Sequence, residues 1–264
     1  MFQGKQVVWI TGASSGIGEE LAKVYSQEAY FVILSARREA KLKEVVAKLQ
    51  TPEDSMVLPM DVTQTDSIAQ AWDMVNSQGI KIDLLINNAG ISQRSKILDT
   101  TLETYRKLME VNYHGVVDLT KRVVEDMVAR KEGHIAVISS IAGKVGAPKR
   151  SGYSASKHAL HGFFDCLRAE VTDEGVHVTI VCPGYARTNI DVNALNADGQ
   201  ASKTRDNENQ TGLYPDKLAR DIFKALKRKK KEVYFGGFEV VAVYLKRFWP
   251  GLLSKILVKK NRAT

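Results

Sequence analysis

Short apolar runs rich in Val, Ile and Leu alternate along the chain with longer amphipathic stretches, and this alternation constrains the fold strongly. Apolar runs of strand length are typical of strands buried on both faces, and the stretches between them have the period of helices that cover a sheet. The pattern predicts an α/β fold, with a doubly wound parallel sheet of seven strands in one domain over residues 1–264. The predicted strands are residues 6–11, 31–36, 55–61, 84–87, 134–140, 177–182 and 233–235, and the predicted helices are residues 16–27, 39–50, 65–78, 101–130, 152–174 and 215–229.

The composition is that of a soluble globular protein, with 44% hydrophobic and 26% charged residues. No apolar run reaches the roughly 20 residues of a membrane-spanning helix, and the amino terminus runs into a strand without room for a signal peptide. A cytoplasmic protein is therefore expected. Cys166 and Cys182 are predicted to be buried small hydrophobes, and since the five histidines lack metal-ligand spacing, no metal site is predicted.

Basic charge is concentrated at the carboxyl end of the chain. The net charge is +8, but residues 216–264 alone contain 14 Lys and Arg against 4 Asp and Glu, so no nucleic-acid partner is predicted. Residues 238–264 form a basic amphipathic tail with two open interpretations. Either the tail lies on an anionic membrane surface, or its apolar side covers a ligand pocket or a subunit interface while the lysines face water. Trp249-Pro250-Gly251 should interrupt its helix in both cases.

A glycine-rich turn, Thr11-Gly12-Ala13-Ser14-Ser15-Gly16-Ile17-Gly18, follows the first predicted strand. Glycine here permits a tight turn and a close approach of the backbone to a pyrophosphate, which binds free N–H groups at the start of the next helix. Because the turn joins a β-branched run to an amphipathic helix, it predicts a dinucleotide site in a Rossmann-type sheet. The predicted contacts are Gly12, Ser14, Ser15, Gly16, Ile17 and Gly18.

Two arginines, Arg37 and Arg38, follow the second strand, where NAD-binding proteins usually place a carboxylate for the ribose 2′-hydroxyl. A carboxylate would repel a 2′-phosphate, whereas a guanidinium binds it through a planar fork. The pair predicts NADP(H) as the cofactor, with Arg37 as the more direct ligand. The alternative is that both are solvated residues at the start of a surface helix.

Further cofactor contacts are predicted where other strands end, because ligands bind at the carboxyl edge of such sheets. Asp61 could accept a hydrogen bond from an adenine amino group, or it could be an ordinary turn residue. The Asn-Asn-Ala-Gly turn after the fourth strand and the Pro-Gly turn after the sixth should place backbone groups beside the nicotinamide. The residues predicted here are Asp61, Val62, Asn88, Ala89, Gly90, Pro183, Gly184 and Thr188.

Tyr153 and Lys157 lie four residues apart in a predicted helix and so share one face. A free tyrosine titrates near about 10, and a nearby ammonium should lower this pKa, so the pair predicts acid–base catalysis by Tyr153. Ser140 could donate to a developing oxyanion, with Ser139 as a competing candidate. Asn112 lies within a predicted helix. It either distorts that helix, freeing a carbonyl to hold a water against Lys157, or is a partly exposed polar residue.

Residues 189–212 are a long polar stretch rich in Asn, Asp, Gln, Ser and Gly. A loop of this length is usually functional or disordered, and this one follows the sixth strand on the ligand-binding edge. It is predicted to be a mobile substrate lid, with a passive insertion as the alternative.

In order and spacing, these motifs resemble the short-chain dehydrogenase/reductase family from residue 5 to about residue 190. The resemblance implies that Asn112, Ser140, Tyr153 and Lys157 form a catalytic tetrad, that Lys157 also binds the nicotinamide ribose, and that the helices over residues 101–130 and 152–174 build a homodimer or homotetramer. Residues 90–95 and 153–164 are similar to vertebrate microsomal dehydrogenase/reductases of the 11β-hydroxysteroid dehydrogenase branch, although no membrane anchor is expected at the amino terminus.

The expected function is NADP(H)-dependent hydride transfer between nicotinamide and a carbonyl or secondary-alcohol carbon of a mainly apolar small molecule, with reduction as the expected direction. Two other classes stay open. Nucleotide-sugar epimerases and dehydratases share the Tyr-x-x-x-Lys pair but resemble longer chains. A non-catalytic NADP-binding module would be expected to lose the tetrad, whereas all four residues are present.

Overall fold

The computed structural model describes residues 4–205 and 207–262. One sheet of seven strands forms the centre of the molecule. The strands are β1 (Val7–Thr11), β2 (Phe31–Ser35), β3 (Ser55–Val57), β4 (Leu84–Asn87), β5 (Gly133–Ile138), β6 (Val176–Pro183) and β7 (Glu232–Phe235). All neighbouring pairs are parallel, in the order β3-β2-β1-β4-β5-β6-β7. The chain thus starts near the middle and winds outward in both directions, which confirms the predicted doubly wound architecture.

Helices cover both faces of this sheet. The α-helices of the described residues are α1 (Gly16–Gln27), α2 (Glu39–Val46), α3 (Thr65–Ser77), α4 (Leu102–Met109), α5 (Gly115–Arg130), α6 (Ser151–Val171), α7 (Asn207–Gln210), α8 (Pro215–Lys227), α9 (Glu239–Phe248) and α10 (Pro250–Arg262). Helices α1, α2 and α8 pack on one face, and α3, α5 and α6 pack on the other.

The core follows from the alternation of side chains along each strand. In β1, Val7 and Trp9 pack with α3, α5 and α6, whereas Val8 and Ile10 pack with α1, α2 and α8. All four side chains are buried. Because both faces of the strand are covered, the sequence shows a continuous apolar run rather than an alternating one.

Some predicted boundaries are wrong, each for a local reason. The predicted helix over residues 101–130 is interrupted between α4 and α5 by a π-helical turn, Glu110–His114. Strand β3 ends at Val57 rather than at residue 61, and Pro59, which has no N–H to donate to a ladder, follows it. Cys166 is exposed on α6 rather than buried, while Cys182 is buried in β6 as predicted.

The carboxyl-terminal tail forms two helices in its described part. Helix α9 ends at Phe248 and α10 begins at Pro250, so the predicted interruption at Trp249-Pro250-Gly251 is confirmed. Within residues 4–205 and 207–262, no helix combines the length and the apolar character needed to cross a membrane.

Candidate active site

A cleft of about 1630 Å³ opens at the carboxyl ends of the central strands. Of the residues predicted to form a site, Gly18 and Asn112 lie behind its wall, where both are buried. The cleft brings together all the others. They are Gly12, Ser14, Ser15, Gly16, Ile17, Arg37, Arg38, Asp61, Val62, Asn88, Ala89, Gly90, Ser140, Tyr153, Lys157, Pro183, Gly184 and Thr188.

The glycine turn after β1 packs tightly against the turn after β4. Gly12 has a φ of 66°, and a Cβ at this position would lie 2.8 Å from the Cα of Ala89. A Cβ on Gly18 would collide with the carbonyl oxygen of Gly12 and would lie 2.5 Å from the Nδ2 of Asn88. Ser15 caps α1 without a side-chain hydrogen bond. The first N–H groups of α1 are therefore left without a side-chain cap at the edge of the cleft, the arrangement that binds anions.

Asn88 supports this turn through its side chain. Its Nδ2 donates to the carbonyl oxygens of Thr11 and Gly12 over 2.9 and 3.2 Å. In return, the backbone N–H groups of Asn88 and Ala89 donate to the Oγ1 of Thr11, each over 3.0 Å. The Asn88 amide thus holds the glycine turn in place, and Thr11 is a supporting residue that the sequence reasoning did not single out.

Arg37 and Arg38 are exposed where β2 ends and α2 begins, and both line the cleft. Within the described residues, neither arginine forms an ion pair with a carboxylate. Asp61 is held as a turn residue, because its Oδ1 accepts hydrogen bonds from the backbone N–H and the hydroxyl of Thr63 over 3.0 and 2.8 Å. It nevertheless lines the same cleft.

Tyr153, Ser140 and Lys157 meet where α6 crosses the end of β5. Ser140 lies beside the buried Tyr153, close enough that its hydroxyl lowers the pKa of the phenol, and its Oγ donates to the carbonyl oxygen of Pro183 over 3.3 Å. Lys157 donates from Nζ to the carbonyl oxygen of Ile138 over 2.7 Å, and its Nζ lies 5.9 Å from the ring centroid of Tyr153. Ser139, the competing candidate, is instead hydrogen-bonded to His161 over 3.0 Å. The structure therefore places Ser140, and not Ser139, against the phenol.

The electrostatics of the pair differ from the sequence-based expectation. Burial raises the pKa of Tyr153, and the neighbouring Ser140 hydroxyl and the charge of Arg150 only partly oppose this rise. Burial also lowers the pKa of Lys157 to about 8. The expectation that Lys157 would bring the pKa of Tyr153 down is wrong for this arrangement, because the ammonium lies over the ring and bonds to a backbone carbonyl rather than to the phenol oxygen.

Asn112 is completely buried within the π-helical turn, so the predicted helix distortion is confirmed. Its Oδ1 accepts a hydrogen bond from the N–H of Ile91 over 2.8 Å, and its Nδ2 donates to Ile91 O and Ser156 Oγ, each over 2.9 Å. A Cβ on Gly90 would lie 3.2 Å from Asn112 Oδ1 and 3.4 Å from Lys157 Nζ. Asn112 therefore joins the turn after β4 to α6 beside the lysine, and the exposed alternative is wrong.

The Pro-Gly turn after β6 is held by a residue that sequence reasoning missed. A Cβ on Gly184 would collide with the carboxylate of Glu239 at the start of α9, and the N–H of Tyr185 donates to that carboxylate over 3.3 Å. Thr188 reaches the glycine turn, since its Cγ2 would lie 3.2 Å from a Cβ on Gly16. Only the three-dimensional fold could identify Glu239, which is 55 residues from Gly184 in the sequence.

The described parts of residues 189–212 and 238–262 form the side of the cleft opposite the strand ends, and we call them the outer wall. Residues 189–212 are anchored at Leu195, which is buried and exchanges backbone hydrogen bonds with Ser92 and Arg94, each over 2.8 Å. Lys260 of α10 forms an ion pair with Glu208 of α7 over 3.0 Å. The tail therefore covers the cleft, as one of the two interpretations predicted.

A sequence model described as short chain dehydrogenase matches residues 6–198 of this chain, well over half of its length. The chain belongs to the short-chain dehydrogenase/reductase family. This family of oxidoreductases has a nucleotide-binding Rossmann fold, and the match does not favour either the epimerase class or the non-catalytic module.

Relatives and solved structures agree with this membership in the short-chain dehydrogenase/reductase family. Dehydrogenase/reductase SDR family member 7B of Danio rerio is 41% identical over 268 residues, covering 97% of this chain and 86% of the relative. A short-chain dehydrogenase structure from Streptomyces avermitilis has a TM-score of 0.82 and 30% identity, covering 99% of this chain and 97% of that chain. One from Sphingobium yanoikuyae in complex with NADPH has a TM-score of 0.75 and 26% identity, covering 87% of each. The predicted similarity to vertebrate dehydrogenase/reductases is confirmed.

Proposed function

We propose that this protein transfers hydride between NADP(H) and the carbonyl or secondary-alcohol carbon of a mainly apolar small molecule, with Tyr153 as general acid and base. The observation that carries the proposal is the grouping of Tyr153, Ser140 and Lys157 inside the cleft that the glycine turn lines. A phenol and a hydroxyl in such a cleft supply a proton donor and a partner for an oxyanion, and the ammonium beside them supplies a cation that can bind the cofactor ribose.

The cleft fits a dinucleotide in its chemistry. Its glycine turn has no room for side chains at Gly12 and Gly18, and the uncapped start of α1 would bind the pyrophosphate. The adenine end would lie near Asp61 and Val62, and the nicotinamide end near Lys157. The remaining proposed contacts are Ser14, Ser15, Gly16, Ile17, Asn88, Ala89, Gly90, Tyr153, Pro183, Gly184 and Thr188.

Arg37 and Arg38 support the choice of NADP(H) over NAD(H). Both guanidinium groups stand exposed at the end of β2, where a ribose 2′-phosphate would lie, and no carboxylate among the described residues pairs with them. We expect wild-type protein to bind NADPH more tightly than NADH. Replacing Arg37 with Ala should weaken NADPH binding by about tenfold, as for a charge-assisted hydrogen bond, and should leave NADH binding unchanged. Arg38→Ala should have the smaller effect, and equal wild-type affinities for the two cofactors would contradict the assignment.

Proton transfer follows from the positions of the side chains. When bound, the nicotinamide cofactor supplies or accepts the hydride. Ser140 would hold the substrate oxygen through its hydroxyl while Tyr153 gives its phenol proton to that oxygen in reduction and takes it back in oxidation. Lys157 would bind the nicotinamide ribose, and a backbone carbonyl that the π-helical turn at Asn112 would leave free would hold a water against Lys157 to resupply the proton. Reduction is the proposed direction, because cells keep NADPH largely reduced.

Replacement of Tyr153 with Phe tests the proposed chemistry directly. The variant retains the ring that fills the site and loses only the hydroxyl. We expect kcat to fall by about 10²- to 10⁴-fold, the usual contribution of a general acid, while NADPH affinity stays within about twofold, since an aromatic ring still packs there. Ketones, steroids, retinoids and acyl thioesters would be screened with NADPH by loss of cofactor absorbance. Unchanged turnover by the variant would rule out Tyr153 as the acid.

The outer wall supports a mainly apolar substrate. Its tail presents Ala242, Leu245, Leu253, Ile256 and Leu257 to the cleft. Apolar side chains in a pocket bind apolar ligand surface and leave orientation to a few polar groups, which Ser140 and Tyr153 would supply here. In this proposal, residues 189–212 open and close as a lid over the substrate. Hydrogen exchange of these residues with and without NADPH would test that motion.

Assembly and location complete the proposal. Helices α4, α5 and α6 would build a homodimer or homotetramer, and light scattering would measure which.

The tail also exposes large apolar side chains beside its lysines, among them Phe238, Phe248 and Trp249, which supports peripheral contact with anionic membranes from the cytoplasm. Flotation with anionic vesicles tests this contact. Equal recovery of the full chain and a version ending at Gly237 would rule it out.

A further inference from the structure

A buried polar cluster lies one helical turn beyond Lys157, and the proposed chemistry does not use it. In this cluster, Ser139, His161 and Cys182 are 3%, 7% and 0% exposed. Glu232 of β7 and Lys144, which follows the turn after Ser140, are half-buried and complete it. We call these five residues the buried cluster.

His161 is the centre of the buried cluster. Its Nε2 lies 3.0 Å from Ser139 Oγ and 3.7 Å from Cys182 Sγ. Its Nδ1 lies 3.6 Å from Glu232 Oε2, too far for a hydrogen bond, and within the described residues this buried nitrogen has no hydrogen-bond partner. One imidazole therefore reaches from β7 to the residue that precedes Ser140.

The partners of Glu232 indicate which ring nitrogen carries hydrogen. Burial alone would raise the pKa of Glu232, but the neighbouring His161 ring and hydrogen bonds from Tyr234 and Lys144 lower this pKa to about 2. An ionised carboxylate only accepts hydrogen bonds, so a nitrogen that faces it is expected to carry hydrogen. Hydrogen on Nδ1 of His161 would suit the neighbouring carboxylate and would leave Nε2 able to accept from the Ser139 hydroxyl, whose other acceptor is Lys157 O at 3.4 Å.

The cluster could be read as a cation site, because ligand atoms of His161, Cys182 and Glu232 lie within 4.8 Å of one another. One observation favours hydrogen bonding instead. The ammonium of Lys144 already lies 2.9 Å from the Glu232 carboxylate, at the position where a cation would have to bind.

The turn after β5 packs directly on this cluster. A Cβ on Gly143 would lie 2.6 Å from Ser139 Oγ, 2.9 Å from Lys157 O and 3.0 Å from His161 Nε2. Only glycine lets the turn approach α6 so closely. The turn carries Ser140, and α6 carries Tyr153 and Lys157. The contacts of His161 therefore help to fix the distance between this turn and the helix.

We propose that His161, oriented by Glu232 and Ser139, is a positioning residue that holds Ser140 against Tyr153. This inference rests on the proposed function. It predicts the direction in which the pKa of Tyr153 changes when His161 is lost. The neighbouring Ser140 hydroxyl lowers the pKa of Tyr153, so moving Ser140 away should raise that pKa. Alcohol oxidation needs the phenolate, and its rise with pH should then move to higher pH.

Three substitutions at His161 separate positioning from simple packing. Leu has a side chain of similar size to His but lacks both ring nitrogens. Gln keeps a polar group near the Nε2 position, and Asn keeps one near the Nδ1 position. We expect His161→Leu to lower kcat by about tenfold or more, as small misplacements in active sites do, with KM and NADPH affinity within about twofold. Gln should recover most of this loss because it retains a partner for Ser139. His177→Ala, at an exposed histidine on β6, is the matched control and should change nothing.

The pH profile and the ring nitrogens supply readouts that a packing role would not move. His161→Leu should shift the alkaline rise in oxidation to higher pH, and His177→Ala should not. In ¹⁵N spectra of the holoenzyme, Nδ1 of His161 should appear protonated, and Ser139→Ala should shift the Nε2 resonance. The titratable and charged groups that face His161 are Glu232, Tyr234, Cys182, Lys144 and His158.

The outcomes distinguish this inference from the proposed function. An unprotonated Nδ1, or a folded His161→Leu enzyme with wild-type kcat and pH profile, would overturn the positioning role. If His161→Leu does not fold, failure of Gln to exceed Asn in kcat would overturn it as well. If wild-type protein reduces no carbonyl in the screen, the proposed function fails, while the ¹⁵N spectra still test the hydrogen-bonded arrangement.

Discussion

The two walls of the cleft are built on different principles. The sheet wall, formed by the strand ends and the start of α6, consists of groups held by buried partners. Asn112 and Asn88 bond to backbone atoms of neighbouring turns, and Asn112 is completely buried. The outer wall is closed by an ion pair between Lys260 and Glu208, whose side chains are 50% and 36% exposed. Buried hydrogen-bonded groups are costly to disturb, whereas exposed ion pairs contribute little.

This difference indicates which substitutions should affect all substrates and which should affect only particular ones. The sheet wall would carry the cofactor and the proton transfer, which are common to all substrates of such an enzyme. The outer wall would determine which substrate enters. A substitution in the sheet wall should therefore affect folding and all substrates together, and one in the outer wall should change KM for particular substrates.

The largest expected effect is at Gly18, beneath the sheet wall. Ala at this position would place its Cβ against the carbonyl oxygen of Gly12 and the amide of Asn88, so the glycine turn must shift. We expect a loss of about 3 kcal/mol in the free energy of unfolding and at least a tenfold loss in NADPH affinity, measured by urea denaturation and by fluorescence titration.

Gly162→Ala is the matched control for this substitution. Gly162 lies within α6, and no atom beyond its own neighbourhood lies within 4 Å of a Cβ there. Ala should stabilise the helix by about 0.5–1 kcal/mol, because glycine loses more backbone freedom on folding. Equal NADPH affinity of the Gly18→Ala and Gly162→Ala proteins would contradict the proposed role of the glycine turn in cofactor binding.

Replacing Lys157 should have an intermediate effect on the free energy of unfolding, and this effect should depend on pH. Burial lowers the pKa of Lys157 to about 8, against about 10.4 in an unfolded chain. Between these values the unfolded chain binds more protons, so stability rises with pH. Wild-type protein should gain about 2 kcal/mol relative to Lys157→Met between pH 8 and pH 10. Urea denaturation at each pH measures this, and Lys121→Met, at an exposed lysine of α5, should show no such gain.

The same contrast explains how far the sequence alone could go. Motifs with a local physical reason, such as the glycine turn or the spacing of Tyr153 and Lys157, correctly predicted residues that meet in the cleft. The predicted distortion at Asn112 also has a local cause. Partners that the chain brings together from a distance were not predictable, since the contacts of Glu239 with Gly184 and of His161 with Glu232 depend on how β7 and α9 pack.

The pKa of Tyr153 was not predictable for the same reason. Spacing on a helix places Lys157 near Tyr153, but it does not specify what the ammonium contacts. The carbonyl of Ile138 takes the hydrogen bond, and burial then becomes the largest influence on the phenol. Local patterns indicate which groups meet, whereas the balance of burial and charge depends on the whole fold.

The smallest expected effect is at Lys260 in the outer wall. Lys260→Met keeps the aliphatic stem and removes the charge that pairs with Glu208, and since this pair is half exposed, the free energy of unfolding should change by less than about 1 kcal/mol. NADPH affinity should not change, but KM for the best substrate of the screen should change severalfold, because the ion pair that joins α10 to α7 across the cleft would be lost. Lys259→Met, at the exposed neighbour, is the control. High salt should reproduce the change in KM in wild-type protein, because salt screens the ion pair. If Lys260→Met lost NADPH affinity instead, the two walls would not be independent.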